Sequence, residues 1–225
     1  MKFLMEMHAH TSETSRCAHV PAERTIEIYK NSEYNGIVIT DHFTRYVSDR
    51  YGVDTWDEKV THYLTGYNIA LKAAGDDFPV LLGMELCIDE DNNDYLCYGV
   101  TEEFLRAHPE IFSLSLKELS ALFEENGIFL AQAHPFRRHM TVADWECLKG
   151  MEIQNGCIRH DSNNDVAAYW AKKRNLRPLS GSDFHREEDI GGGGIYFNER
   201  ITSNDELIAA LKKGDYTVIE KEVKR

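Results

Sequence analysis

Histidines and carboxylates recur in short clusters along this chain, as His8-Ala9-His10, Asp41-His42, Glu85, His134 and Asp183-Phe184-His185. Imidazole and carboxylate groups hold zinc, manganese or iron without help from thiolate, and a set this large points to a site for more than one ion. Most of these clusters close an apolar run. Phe3-Leu4-Met5 precedes the first, residues 36–40 the second, residues 79–84 lead to Glu85, and residues 128–133 lead to His134. Such runs read as buried strands, which sets each polar residue at a carboxyl end. One histidine after an apolar run is most often a core or surface residue, but repetition of the same arrangement exceeds coincidence. Side chains two apart on a strand share a face, so His8 and His10 can reach one ion. Parallel α/β sheets and barrels gather function at the carboxyl ends of their strands, where residues distant in sequence converge.

The intervening segments supply the scaffold. Residues 21–30 have helical spacing, and residues 56–74 set Trp56, Val60, Tyr63, Leu64, Tyr67 and Leu71 at steps of three or four, as an amphipathic helix requires. Residues 79–100 read as a two-stranded hairpin around an acidic turn. Residues 114–125 read as a helix opened by Ser115 or Ser113 and closed by Asn126-Gly127. A short strand over 151–155, a helix over 163–173, a strand over 177–180 and a last helix over 203–212 follow. This alternation is the α/β signal. The run Gly191–Gly194 lacks the strand before it and the Lys-Ser/Thr after it that a P-loop needs, so it is expected to be a flexible loop or tight turn near the site.

With 225 residues the chain can form one full barrel, and a single domain over 1–225 is expected. No apolar run approaches the roughly 18 residues of a membrane span, and the start of the chain lacks the apolar core of a signal peptide. A cytoplasmic location is the expectation. Cys17, Cys87, Cys97, Cys147 and Cys157 form no CxxC pair and are odd in number, which argues against a disulfide framework or zinc knot. They read as buried free thiols, with Cys17 and Cys157 near the site loops. A net charge of -13 disfavours polyanionic nucleic acid as a partner and leaves a small phosphorylated molecule as the easier substrate.

Taken in order, His8-Ala9-His10-Thr11-Ser12, Thr40-Asp41-His42, Gly83-Met84-Glu85, Ala133-His134-Pro135 and Gly181-Ser182-Asp183-Phe184-His185 resemble the PHP family of metal-dependent phosphoesterases, named for polymerase and histidinol phosphatase. The resemblance implies a distorted, TIM-like β/α barrel of seven strands with two or three divalent ions, zinc, manganese or iron, at its mouth. It implies His8, His10, Glu85 and Asp183 on one ion, Glu85 bridging to a second held by His134, and His42 with His185 on a third. Where many members carry a histidine on the strand after the bridging glutamate, this chain has Asp94, an oxygen ligand or a turn residue of the hairpin. In the first loop, where relatives supply Asp or His to the third ion, Glu13 is the first choice and His19 the second. Asp41 is expected beside His42, fixing its tautomer, rather than on a metal.

Clustered ions would clamp a phosphate ester and supply a metal-bound hydroxide for in-line attack, so no protein nucleophile is required. Arg137, Arg138 and Arg159, all just beyond strand ends, are the candidates for binding phosphate through the planar guanidinium fork, each with a solvated surface role as the alternative. His160 is placed to protonate the leaving oxygen, or to bind phosphate. The expected activity is hydrolysis of a small-molecule phosphate ester. Histidinol-phosphate phosphatase and a PHP-type nuclease are the rivals within the fold, and the lack of a basic, aromatic groove counts against the nuclease. A metal-stabilised binding module without turnover is the non-enzymatic alternative.

Overall fold

The structure, a computed structural model, describes residues 2–46 and 52–220. Strand β1 (Phe3–Ala9) pairs in parallel with β2 (Gly36–Ile39), and β2 in parallel with β4 (Val80–Cys87). The two-residue β3 (His42–Phe43) lies parallel to the end of β4, with His42 opposite Glu85. Next comes β5 (Asp94–Tyr98), antiparallel to both β4 and β6 (Phe129–Gln132), after which β7 (Gly150–Asn155) and β8 (Arg177–Gly181) are again parallel. Backbone bonds from His10 N to Phe184 O (3.0 Å) and from Phe184 N to His8 O (3.1 Å) tie the end of β8 back to β1. The seven strands β1, β2, β4, β5, β6, β7 and β8 therefore form a nearly closed barrel, as the resemblance implied. Two strands absent from the sequence reading, β9 (Ile195–Phe197) and β10 (Tyr216–Val218), extend the sheet from the amino-terminal half of β1.

Six helices surround the sheet among the described residues: α1 (Ala22–Lys30), α2 (Trp56–Ala74), α3 (Glu102–Ala107), α4 (Leu116–Glu125), α5 (Asn164–Arg174) and α6 (Asn204–Lys213). Thr55 with Glu58 and Ser115 with Glu118 form capping boxes that start α2 and α4, each satisfying amide groups the helix itself leaves without acceptors. Met5, Met7, Leu96, Tyr98, Phe129 and Leu179 pack together with Leu207 and Leu211 of α6. A second cluster joins Met84, Leu86 and Cys97 to Val60 of α2 and Leu119 and Phe123 of α4, and a third joins Leu4, Ala9, Ile37 and Ile39 to Ile26 and Tyr29 of α1.

Three features of this scaffold aim the polar groups. The β1–β2 register shifts between Glu6 and Ala9, and Met7 and His8 both donate their N–H to Glu6 Oε1 at 2.9 Å. Leu4 and Ala9 differ in parity yet pack in the same cluster, so the strand changes face between them and His8 and His10 turn away from α1. A second shift, between Glu152 and Gln154 of β7, lies directly across from β8. Finally, glycines allow close approach. A Cβ on Gly181 would lie 2.3 Å from His8 Cβ, and one on Gly193 would lie 2.2 Å from Gly181 O. Of the flexible loop or tight turn expected at Gly191–Gly194, the structure has a turn into a segment packed backbone to backbone, where Gly192 presses in the same way on Gly156.

Candidate metal centre

Glu85 lies at the centre of the barrel mouth, 1% exposed, with each carboxylate oxygen facing two imidazoles. Oε1 is 3.3 Å from His8 Nε2 and 3.0 Å from His134 Nε2, while Oε2 is 3.3 Å from His10 Nε2 and 2.8 Å from His42 Nδ1. Asp183 adds a second carboxylate, its Oδ1 3.5 Å from His8 Nε2, 3.3 Å from His10 Nε2 and 3.2 Å from His185 Nδ1. Both His134 (φ 27°) and Asp183 (φ 52°) occupy the left-handed region, which costs a non-glycine residue roughly 1–3 kcal/mol. That strain delivers both side chains into the cluster.

The hydrogen bonds around the imidazoles fix which nitrogen faces inward. His8 donates from Nδ1 to Glu152 Oε1 (2.8 Å), His10 from Nδ1 to Ser15 Oγ (3.2 Å), and His185 from Nδ1 to the Asp183 carbonyl (2.9 Å). In the neutral rings Nε2 then carries the lone pair, and Nε2 of His8 and of His10, with His134 Nδ1, are buried without any hydrogen-bond partner. Buried polar atoms are rarely left so. Donor atoms of His10, His42 and His185, of His8, His10 and Glu85, of His8, His134 and Asp183, and of Glu85, Asp94 and His134 each lie within 4.8 Å of one another. The residues therefore fit a set of divalent ions, by lone-pair direction and by ligand type.

The buried carboxylates demand positive charge, which protons on the imidazoles or bound cations competing with them can supply. Burial works against charge on His8, but Glu152, Glu85 and Asp183 hold its pKa well above the imidazole range. Burial and the neighbouring His185 and His42 hold His10 well below it. Glu85 is held well below the carboxylate range, against the effect of burial, by His42 and His8, and Asp183 likewise by His8 and His10. Divalent cations would supply the positive charge these anions demand.

Asp94 joins the group because β5 runs antiparallel. Its amino end lies at the face where the other strands present their carboxyl ends, and Asp94 Oδ2 comes 3.9 Å from His134 Nε2. Burial and repulsion from Glu85 raise its pKa to about 6. The first-loop choices are corrected. Both carboxylate oxygens of Glu13 accept from Ala22 N at the start of α1 (3.1 and 2.9 Å), so this side chain caps a helix and is not brought to the cluster. His19 is exposed and lines a separate cleft with Pro21 and Arg24. The side chain that the loop does bring in is Cys17, its Sγ 3.1 Å from His185 Nε2; it is exposed rather than buried. Asp41 is also corrected: its carboxylate accepts from Thr11 N, Thr11 Oγ1 and Ser15 Oγ at 2.7, 2.6 and 2.6 Å. It thus orients His10 through Ser15, rather than His42.

A cleft of about 360 Å³ opens over the cluster and is lined by Arg137, Arg159, His160, Cys17 and Cys157 among others. Arg137 donates through Nη2 to Asp183 Oδ2 and Asn155 Oδ1, both at 2.8 Å. Arg159 holds buried Asp189 with both Nη atoms, at 2.6 and 2.7 Å, so the fork expected to grip phosphate is already occupied. Arg138 is exposed and not part of the cleft lining.

Sequence reading missed Glu152, which is 1% exposed and binds three partners: His8 Nδ1, His134 N and Asn155 Nδ2 at 2.8, 2.9 and 3.0 Å. A lone acid inside the otherwise uncharged, fully buried strand Gly150–Asn155 was the available signal. Partners of this kind change metal affinity by about 10–100-fold. Glu152→Gln is expected to weaken metal binding by about that factor, measured by competition with a chromogenic chelator; unchanged affinity would remove Glu152 from the site.

Residues 161–216 match the family described as PHP-associated. No curated protein matches the chain in sequence. Among solved structures, a two-domain protein of Bacteroides vulgatus containing a predicted PHP-like metal-dependent phosphoesterase is similar at 14% identity and a TM-score of 0.70, covering 97% of this chain. The chain spans 65% of that protein. PsfC from Pseudomonas syringae is similar at 16% identity and a TM-score of 0.68, with 95% of this chain and 94% of PsfC covered. The lesion-specific endonuclease Q of Pyrococcus furiosus is similar at 16% identity and a TM-score of 0.68, with 97% and 58% covered. At such identities the likeness is one of fold, and an endonuclease among these structures withdraws the fold's support from the expectation against nucleic acid. The order of the motifs, the PHP-associated match and the shared barrel bear out the resemblance, and the chain has the PHP fold.

Proposed function

We propose that this chain is a metal-dependent hydrolase acting on the phosphate ester of a small molecule. The observation that carries the reading is the convergence of orphaned imidazole atoms and buried carboxylates on one cleft that also holds Arg137. His8, His10, Glu85, Asp183, His134 and Asp94 would hold two ions with Glu85 between them, and His42 and His185 would hold a third. Bound divalent ions supply Lewis acidity and hydroxide at neutral pH.

The chain's own groups do the rest. Arg137 commits Nε and Nη2 to Ser162, Asn155 and Asp183, so a phosphoryl oxygen would meet Nη1, with the guanidinium held rigid before substrate arrives. Arg159 is clamped by Asp189, which offsets its charge at the rim. His160 lines the same cleft, and burial together with Arg137 lowers its pKa, so at neutral pH its ring is held neutral, suited to accept a proton or a hydrogen bond rather than to stand ready as an acid. A cleft of about 360 Å³ falls in the range of small-molecule sites, about 300–1,000 Å³. Hydrolysis rates for a mononucleotide, a sugar phosphate, histidinol phosphate and a short DNA single strand test the reading. One of the small esters is expected to be turned over at least about tenfold faster per unit kcat/KM than the strand, a difference of about 1.4 kcal/mol in transition-state binding. Preferential cleavage of the strand would make the protein a nuclease instead.

A further inference from the structure

The first loop, Thr11–Val20, folds back over the barrel mouth, with Ser12 N bonded to Val20 O (3.0 Å) and His19 N to His185 O (2.8 Å). The second of these bonds fixes the loop against the segment that carries Asp183 and His185. Cys17 is thereby held with its Sγ 3.1 Å from His185 Nε2. Nδ1 of the same ring donates to the Asp183 carbonyl, so Nε2 is the nitrogen that could ligate an ion once its proton is lost. The sulfur and the ring nitrogen, both metal-ligating atom types, thus share one hydrogen bond, whose proton a bound ion would displace. Donors at about 2.3 Å (sulfur) and about 2.1 Å (nitrogen) from a tetrahedral zinc ion lie roughly 3.6 Å apart, close to the separation here.

His42 and His10 complete the surroundings. His10, His42 and His185 each offer a donor atom within 4.8 Å of the others, and His10 Nε2 is fully buried with no hydrogen-bond partner. Cys17 lines the same cleft as His42 and His185, whereas Glu13 is committed to Ala22 N.

We propose that Cys17 is a sulfur ligand, with His42 and His185, of one ion of the centre, and that this position consequently takes zinc or ferrous iron in preference to manganese or magnesium. The inference rests on reading the cluster as a metal centre. On binding, the thiol gives its proton to solvent and the sulfur lone pair forms the bond to the ion; no electron is transferred. Thiolate favours soft and borderline ions, whereas an all-oxygen and imidazole site would admit manganese readily.

Cobalt(II) substitution of the full chain tests this. Wild-type protein is expected to show an intense near-ultraviolet sulfur-to-cobalt charge-transfer band. Cys17→Ser should lose the band and bind one equivalent less cobalt at matched free concentration, while Cys157→Ser, altering the other thiol of the cleft, should keep it. A wild-type protein that takes up cobalt without the band, or a band unchanged in Cys17→Ser, would overturn the sulfur ligand and leave the metal centre standing. Failure to take up any cobalt would remove both. A second measurement needs no variant: Cys17 should be protected from iodoacetamide in zinc-loaded protein and alkylated after chelation. Equal labelling in both states would count against the proposal.

Discussion

Glu85→Gln is expected to reduce kcat/KM by at least about 10²–10³-fold, the scale seen when one preorganised electrostatic group is lost from an active site, and to lower the metal content of the purified protein. The reason lies in the four imidazoles around this carboxylate, two per oxygen at 2.8–3.3 Å. An amide retains one acceptor oxygen but turns an NH2 donor toward the other pair, where an anion is required. Two ions would then lose their shared ligand and their mutual charge compensation. Circular dichroism should show the fold retained, since Glu85 lies at the mouth while the barrel interior is held by apolar side chains such as Met5, Tyr98 and Phe129. Full turnover in Glu85→Gln would refute the bridge.

Removal of metal by a chelator should lower the melting temperature. Each ion at about 100 times its Kd contributes about 2.7 kcal/mol, and a domain of this size shifts by about 2–4 °C per kcal/mol, so about 5–10 °C per ion is expected. The effect has a pH signature. Burial raises Asp41 and Asp94 to about 6 from 3.8. A carboxyl group raised in the folded state favours folding below its unfolded pKa and loses that contribution as pH climbs through the folded one. Chelated protein should therefore lose stability from about pH 4 to about pH 6 through these two groups. Metal binding needs Asp94 ionised and improves over the same range, so the gap between loaded and chelated melting temperatures should widen from pH 5 to pH 7. A gap that is absent or narrows would contradict ligation by Asp94.

Much of the cluster was legible because barrel topology converts a linear pattern, apolar run then histidine or acid, into a ring of side chains. The convergence of His8, His10, His42, Glu85, His134, Asp183 and His185 needed only that conversion. Asp94 was ambiguous because its placement depends on the direction of β5, which an acidic turn does not reveal. Glu13 was misassigned because the start of α1 requires an acceptor for Ala22 N, and loop geometry decides which acid supplies it. Cys17 was placed near the site loops but read as a buried free thiol, because a cysteine outside a CxxC pair carries no spacing signal. Glu6 and Glu152 were missed for a related reason: the role of each comes from a register shift, in β1 and in β7, and a bulge leaves little trace in sequence. The strands β9 and β10, three residues each, are too short to show a period.

Elemental analysis of protein purified without added chelator or metal, alongside hydrolysis of a generic aryl phosphate, tests the central claim most directly. Two or three equivalents of zinc, iron or manganese, with hydrolysis abolished by a chelator and restored by the ion, is the predicted result. Metal-free protein that stays inactive after reconstitution with each of these ions would contradict it.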